Sequence, residues 1–266
     1  MAADRRGSFI FPYVLALVLA LVAIPVRAQA DDDFDRIIKD KVVRIGAVES
    51  FPNYKKDLKS GQWVGIIPDI SELIFSSIGV KVEYVPTDWG SAAAGLQSGR
   101  FDIIGAYGAT PQRALAVDFT KPVTDIQIGL LTLNEPAEAY SHWATLNKPQ
   151  FRIAAIEGGA TTIAARRLIP DVTWSLVKGY DAMVMELESG RVDAIVSSEP
   201  ILQLYRQAKG KGTIVMPKDP IATPSNFAVR KGSTQLKEWL NIAIDYYRAD
   251  GEFKLIWDKY LYPEAK

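Results

Sequence analysis

The chain has 266 residues, with 31 lysine and arginine residues, 31 aspartate and glutamate residues, a formal net charge of zero, one histidine and no cysteine. This composition excludes disulfides, a thiol nucleophile, a lipid-modified cysteine and a metal site built from several histidines, and no metal is expected. The balanced charge does not favour a nucleic acid or an anionic membrane surface as a partner.

The first 30 residues have the pattern of a secretory signal peptide. Arg5 and Arg6 form a basic head, an apolar run follows over about 9–26, and residues 28–30 read Ala-Gln-Ala, a small-x-small cleavage signature. A retained membrane anchor is the alternative, because an apolar run of this length could just span a bilayer. Pro25 and the cleavage signature favour removal of the segment. We therefore expect a mature protein that is soluble in the periplasm.

The first series of elements alternates strands and helices. The helix ends at Gly79, and the strand after it alternates apolar and polar residues. The series reads as a strand "KVVRIGAV" (41–48), a helix "IPDISELIFSSIG" (67–79), a strand "VKVEYVP" (80–86), a helix "SAAAGLQSG" and a strand "FDIIGA".

A second series repeats this order. It reads as a strand "FRIAAIE" (151–157), a helix "TTIAARRLI" (161–169), a strand "VTWSLVKG" (172–179), a helix "DAMVMELESG" and a strand "VDAIVSS". The phrase L-x-S-G-R begins at Leu96 and again at Leu187, where the glycine closes a helix and a short buried strand follows. Two such β-α-β-α-β runs predict two α/β lobes with largely parallel sheets.

The last part of the chain, after "GTIVMP" (212–217), runs through "SNFAVRKGS" into a helical tail with apolar residues at helical spacing. This tail could cover the first lobe. We predict that lobe 1 comprises residues 31–128 plus 221–266 and lobe 2 residues 129–220, with crossings near 128–133 and 217–224. Ligands of open α/β sheets bind at the carboxyl ends of strands, so two such lobes that face each other would form a cleft.

This arrangement resembles the bacterial extracellular solute-binding proteins of family 3, the polar amino-acid-binding type that serves ABC importers. The resemblance covers essentially the whole mature chain. It depends on the order and spacing of several phrases, namely "VVRIGAVESFPNY", "WVGIIPDISELI", "PTDWGSAAAGLQSGRFDIIGAYGATPQRALAVDFTKPV", "GGATT", "LESGRVDAIVSSEP" and "ADGEFKLIWDKYL". It implies the two-lobed type II periplasmic-binding-protein fold, with a mostly parallel sheet in each lobe and a hinge of two crossing segments.

The phrase "ATPQR" (109–113) indicates a carboxylate site. Thr110 stands where a helix N-cap belongs, Pro111 occupies the first helical position, and Arg113 lies one turn in, from where its guanidinium can face a carboxylate. The resemblance implies that Arg113 clamps the α-carboxylate of the ligand. A surface ion pair between Arg113 and Asp118 is the alternative.

Aromatic and glycine-rich segments supply further candidates. By resemblance, Trp89 packs over the side chain of the ligand, and Phe51 faces it from the other wall. Plain packing is the alternative for Trp89. In "EGGATT" (157–162), Gly159 allows close backbone approach, and Thr161 or Thr162 caps the following helix and can donate to an anion. A purely structural helix cap explains these residues almost as well.

The chain departs from the pattern of the family at the ammonium site. Amino-acid binders usually have an aspartate for the α-ammonium, and the corresponding position here is Ser198, followed by Glu199. Either Glu199 or Glu49 binds an ammonium, or the ligand has none; Glu199 could instead be a helix-start carboxylate. Gly108 and Ala106 also replace hydroxyl residues that are common in the family.

We therefore expect a monomeric, non-enzymatic periplasmic protein that binds a small carboxylate, an amino acid or a relative, for an ABC permease in the inner membrane. No cofactor is required, and nucleic acid is not a partner. One alternative is an accessory or sensor-presenting protein, since some similar proteins accompany quinoprotein dehydrogenases. Another is a cyclohexadienyl dehydratase-like enzyme on the same fold, for which no acid other than Glu199 can be matched.

Overall fold

The computed structural model describes residues 33–134 and 137–261. The predicted signal peptide, residues 1–30, lies outside these ranges. Within the described ranges, no helix combines the length and the apolar character that crossing a membrane requires.

Helices and strands alternate over most of the chain. The strands are β1 (Val42–Ala47), β2 (Lys55–Lys56), β3 (Trp63–Val64), β4 (Lys81–Pro86), β5 (Ile103–Gly108), β6 (Val117–Thr132), β7 (Arg152–Ile156), β8 (Thr173–Val177), β9 (Ala194–Ser198), β10 (Thr213–Val215) and β11 (Ile221–Arg230). The α-helices are α1 (Asp33–Asp40), α2 (Ile66–Ser76), α3 (Ala92–Gln97), α4 (Pro111–Ala114), α5 (Trp143–Leu146), α6 (Ala160–Leu168), α7 (Tyr180–Glu188), α8 (Glu199–Lys209), α9 (Thr234–Ala249) and α10 (Glu252–Leu261), and a 3₁₀ helix spans Ala137–Tyr140.

One continuous hydrogen-bonded sheet links the strands in the order β4-β1-β5-β11-β6-β9-β7-β8, with β10 paired to β6. The strands β4, β1 and β5, which we call the first sheet half, run parallel, as do β9, β7 and β8, the second sheet half. The strands between the halves, β11 and β6, pair antiparallel with their neighbours. The predicted α/β class is confirmed, and the whole sheet is mixed because these two long strands cross it.

The repeated phrase occupies equivalent places in the two halves. Helix α3 is followed by Gly99 at a φ of 69° and then by β5, while α7 is followed by Gly190 at a φ of 70° and then by β9. Glycine adopts this left-handed conformation without a steric penalty, so it ends both helices. The predicted αβ units are confirmed.

The C-terminal helices pack against the first sheet half. Leu240 and Ile244 of α9 and Phe253 of α10 are buried in one apolar cluster with Ile45 of β1 and Ile70 of α2. Burial of such side chains contributes about 1.5–3 kcal/mol each, so the tail is an integral part of this half. The packing agrees with the expected position of the tail, whereas the lobe boundaries themselves stay a prediction.

The long strand β6 connects the two halves. It pairs with β11 from Val117 opposite Arg230 to Ile128 opposite Ile221. Beyond that point it pairs with β9, from Ile128 opposite Ser198 onward. The strand β6 therefore joins β9 of the second half to β11, which pairs with β5 of the first half.

Candidate functional site

A cavity of about 70 Å³ lies at the carboxyl ends of the parallel strands of both halves. Such strand ends are where open α/β sheets bind ligands. The described residues that line the cavity are Ser50, Asn53, Trp89, Ala106, Gly108, Arg113, Ile126, Ile156, Gly159, Ala160, Thr161, Ser197, Ser198, Ile201, Thr223, Pro224 and Ser225.

Arg113 reaches the cavity from the short helix α4. The hydroxyl oxygen of Thr110 caps this helix by accepting the Arg113 backbone N–H at 3.2 Å, as the sequence predicts. The guanidinium donates from Nη1 to the Gly108 carbonyl at 2.7 Å and from Nη2 to the Gly158 carbonyl at 2.6 Å. Arg113 is only 9% exposed. It therefore lies inside the cavity and connects the two sheet halves.

The predicted alternative for Arg113, an ion pair with Asp118, is not what the structure contains. Asp118 binds Lys231 at 2.9 Å and accepts the backbone N–H of Gly232. The Arg113 guanidinium instead stacks on the ring of Tyr107, with its central carbon 3.9 Å from the ring centroid.

Tyr107 is the centre of an aromatic stack under the arginine. Its ring stacks on Trp89 at a centroid distance of 6.1 Å and on Phe119 at 5.9 Å. Burial lowers the pKa of Arg113, with Tyr107 opposing this effect, and burial raises the pKa of Tyr107. Arginine stays protonated at neutral pH despite such a shift. The cavity therefore contains a permanent, partly desolvated cation held on an aromatic face.

The turn before α6 brings the second sheet half against the first. Gly158 has a φ of 72°, and a Cβ added to it would lie 3.1 Å from the backbone nitrogen of Gly90. Gly159 is the N-cap residue of α6, and Thr161 lines the cavity. The Thr162 hydroxyl donates to the Ile156 carbonyl at 2.7 Å, so it stabilises its own turn rather than facing the cavity. The closeness of this turn explains why glycine occurs there.

Serines of β9 and β11 line the floor of the cavity. Ser197 and Ser198 end β9, and Ser198 is also the N-cap residue of α8. Glu199, the next residue, does not belong to the lining. In β11, Ser225 pairs with Gly108 across the sheet and lines the cavity as well.

Glu49 and Phe51 line a second, larger cavity of about 450 Å³ that shares Ser50 with the first. The Phe51 ring packs edge-on against Tyr260, at a centroid distance of 6.2 Å. Lys55 places its ammonium 5.7 Å from the Phe51 ring centroid. Phe51 therefore faces this outer space and not Trp89.

Half of the predicted site residues line the 70 Å³ cavity. Those that do are Arg113, Trp89, Gly159, Thr161 and Ser198; those that do not are Thr110, Thr162, Glu199, Glu49 and Phe51. Sequence reasoning missed Tyr107, Thr223 and Ser225, which lie in strands whose neighbours are remote in sequence. The only local signal was the aromatic residue in "GAYGATPQR", six positions before the arginine. Across the described ranges, no group of three or more His, Asp or Glu side chains is placed to hold a metal ion.

A profile of the bacterial extracellular solute-binding proteins, family 3, matches residues 43–263. The chain belongs to this family. An L-arginine-binding protein of Pseudomonas aeruginosa is 27% identical, over 92% of this chain and 93% of the relative. A probable histidine-binding protein of Neisseria gonorrhoeae is 24% identical, over 85% of each chain.

Solved structures of the family superpose well. The ancestral amino acid-binding protein AncCDT-1, described as a precursor of cyclohexadienyl dehydratase, is 30% identical with a TM-score of 0.78, covering 86% of this chain and 99% of its own. A putative ABC-transporter binding component from Wolinella succinogenes, complexed with lysine, has a TM-score of 0.76 at 24% identity, covering 84% of this chain and 96% of its own. The protein is thus a solute-binding protein with the type II periplasmic-binding-protein fold.

Proposed function

We propose that this solute-binding protein captures a small carboxylate-bearing solute in the 70 Å³ cavity and delivers it to an ABC permease in the inner membrane. The observation that carries the proposal is the buried guanidinium of Arg113, which hydrogen-bonds carbonyls of both sheet halves inside this cavity. Relatives named as arginine- and histidine-binding proteins support it, since both of those amino acids bear a carboxylate.

The electrostatics of the cavity favour an anion. A guanidinium has five N–H donors, and the two bonds to Gly108 and Gly158 leave three for a ligand. The N-termini of α6 and α8 also line the cavity, through Gly159 and Ser198, and their free backbone N–H groups add positive potential. A carboxylate that binds Arg113 would meet complementary charge on both sides.

We further propose that the two sheet halves belong to lobes 31–128 plus 221–266 and 129–220, which close on the solute by a hinge in β6 and β11. Because Arg113 contacts Gly158 across the halves, a ligand bound to Arg113 would also favour the closed form. The mature protein acts in the periplasm as a monomer, after removal of residues 1–30.

The test is calorimetry of the mature protein and of Arg113→Ala with a panel of amino acids, 2-oxo acids, 2-hydroxy acids and dicarboxylates. Loss of two charge-assisted bonds should weaken binding by about two to four decades. The matched control is Arg167→Ala, which removes an exposed arginine of α6 away from the lining. Equal affinity of Arg113→Ala and the parent protein would defeat the proposal.

An enzymatic role is the second candidate, because the ancestral relative is described as a precursor of cyclohexadienyl dehydratase. A dehydratase needs an acid directed at the leaving hydroxyl. The described residues of the cavity lining include no aspartate or glutamate, so we propose a binding role without turnover. Incubation with prephenate or arogenate tests this, and product formation above that of Arg113→Ala would favour the enzyme.

A further inference from the structure

The charge inventory of the 70 Å³ cavity is one-sided. Among the described residues of its lining, Arg113 is the one charged side chain, and the polar remainder consists of hydroxyls and the Asn53 amide. Neither of the two acids that the sequence offers as ammonium partners belongs to this lining: Glu199 is absent from it, and Glu49 lines the outer cavity. The lining itself therefore offers no carboxylate to an ammonium group.

Three backbone carbonyls at the cavity already accept hydrogen bonds from the protein. The carbonyls of Gly108 and Gly158 accept hydrogen bonds from Arg113, and that of Ile156 accepts one from Thr162. The guanidinium and two helix N-termini face the same small volume, and each of these disfavours a second positive charge. The cavity is therefore built for a net negative ligand.

A buried hydroxyl marks the place of a second polar group on the ligand. Ser225 is 2% exposed, lines the cavity, and its Oγ has no hydrogen-bond partner in the described part of the chain. Its strand register places it beside Gly108, whose carbonyl binds Arg113. Because a buried polar atom is costly to leave unsatisfied, a polar ligand group close to the bound carboxylate is the natural partner, and the positive potential of the cavity favours a neutral oxygen over an ammonium at that place. A 2-hydroxyl or 2-oxo group lies at that position.

The volume favours a small ligand. A space of about 70 Å³ has room for about five or six water molecules. L-Lactate and pyruvate contain a similar number of non-hydrogen atoms. Trp89, Ile126 and Ile156 provide apolar surface for a methyl group.

We infer that the solute is a small 2-hydroxy or 2-oxo monocarboxylate without an amine. This inference rests on the proposed function, in which Arg113 binds the carboxylate. It adds that Ser198, at the position where related amino-acid binders have an aspartate, sets the preference against amino acids.

The test is calorimetric titration of the mature protein with matched pairs: L-lactate and pyruvate against L-alanine, and glycolate against glycine. We expect the amine-free member of a pair to bind at least about tenfold more tightly, the factor that one charge-assisted hydrogen bond confers. Equal or tighter binding of the amino acid, abolished in Arg113→Ala, would overturn the inference and leave the proposed function intact. If no member of any pair binds, the inference falls, whereas the proposed function is decided by the wider panel of carboxylates described above.

The variant Ser198→Asp sharpens the test. Aspartate is as good an N-cap residue as serine, so helix α8 should persist, which the thermal midpoint will check. We expect the order within each pair to reverse, because the new carboxylate pairs with an ammonium and repels a second carboxylate. Ser189→Asp, which adds the same charge at an exposed position after α7, should keep the parent order. An unchanged order in folded Ser198→Asp would contradict the role assigned to Ser198.

Discussion

The two sheet halves contain the same arginine–aspartate pair in two different environments. In the first half, Asp102 accepts the backbone N–H of Arg44 at 2.8 Å and its Nη2 at 2.7 Å. In the second half, Asp193 accepts the backbone N–H of Arg152 at 2.9 Å and its Nη2 at 2.6 Å. Each aspartate also donates its own backbone N–H to the carbonyl of its arginine at 2.8 Å.

This shared geometry gives a physical role to the repeated L-x-S-G-R phrase. In each copy the aspartate lies two positions after the arginine that ends the phrase itself, at the start of the strand that follows. Its bonds to Arg44 of β1 or to Arg152 of β7 hold this strand to the first strand of the same half. The surroundings differ: the Asp102 side chain is fully buried and also binds Arg36 at 2.6 Å, whereas Asp193 is 19% exposed and has one arginine. Similar local sequences can therefore contribute unequally to stability.

The stabilities of the two sheet halves should differ most in their response to neutralising the aspartates. Asp102→Asn leaves Arg36 and Arg44 without their common carboxylate, and we expect the free energy of unfolding to fall by about 2–3 kcal/mol. Urea denaturation of the mature protein measures this loss. If Asp102→Asn loses no more unfolding free energy than Asp193→Asn, burial does not make the two aspartates contribute differently to stability.

The two closing glycines should behave alike. Gly99→Ala and Gly190→Ala each place a side chain at a φ near 70°, which should cost about 1–2 kcal/mol at either position. An added Cβ meets nothing closer than 3.5 Å at Gly99 and nothing within 4 Å at Gly190, so no clash adds to this strain. If the two variants lose amounts of unfolding free energy that differ by more than the experimental error, the two backbone turns are not equivalent.

The smallest effect is expected for Asp193→Asn, about 1 kcal/mol or less, because this pair is partly exposed. Hydrogen bonds from the Arg152 side chain lower the pKa of Asp193 below its ordinary 3.8. A lowered pKa contributes stability above the ordinary value and loses it as the pH falls through the lowered one. Denaturation from about pH 7 down to about pH 3 should show the difference between parent and variant shrinking below about pH 4.

Local signals in the sequence predict most of the αβ units, because apolar spacing and a terminal glycine lie within a few residues. The pairing of β6 with β11 was not predicted, since Ile128 and Ile221 are opposite in the sheet but remote in the chain. Separation along the chain also limits what the sequence predicts about the site. Arg113 is marked by its neighbours Thr110 and Pro111, whereas Ser225 reaches the cavity only through its strand pairing with Gly108.

Phe51 illustrates the opposite case, in which tertiary packing sets the surroundings of a residue that a local phrase marks as a candidate. Its ring packs against Tyr260 at the far end of the chain. No pattern around residue 51 contains that contact. The orientation of a side chain beside a strand end can therefore depend on contacts with residues at the far end of the chain.

The central claim is that Arg113 binds a carboxylate between the two sheet halves. A crystal structure of the mature protein with the tightest ligand of the calorimetric panel tests it most directly. We predict a ligand carboxylate oxygen about 2.7–2.9 Å from the Arg113 guanidinium, with the ligand enclosed by residues of both halves. A ligand bound in the outer cavity beside Glu49 and Phe51, with Arg113 contacting only Gly108 and Gly158, would contradict it.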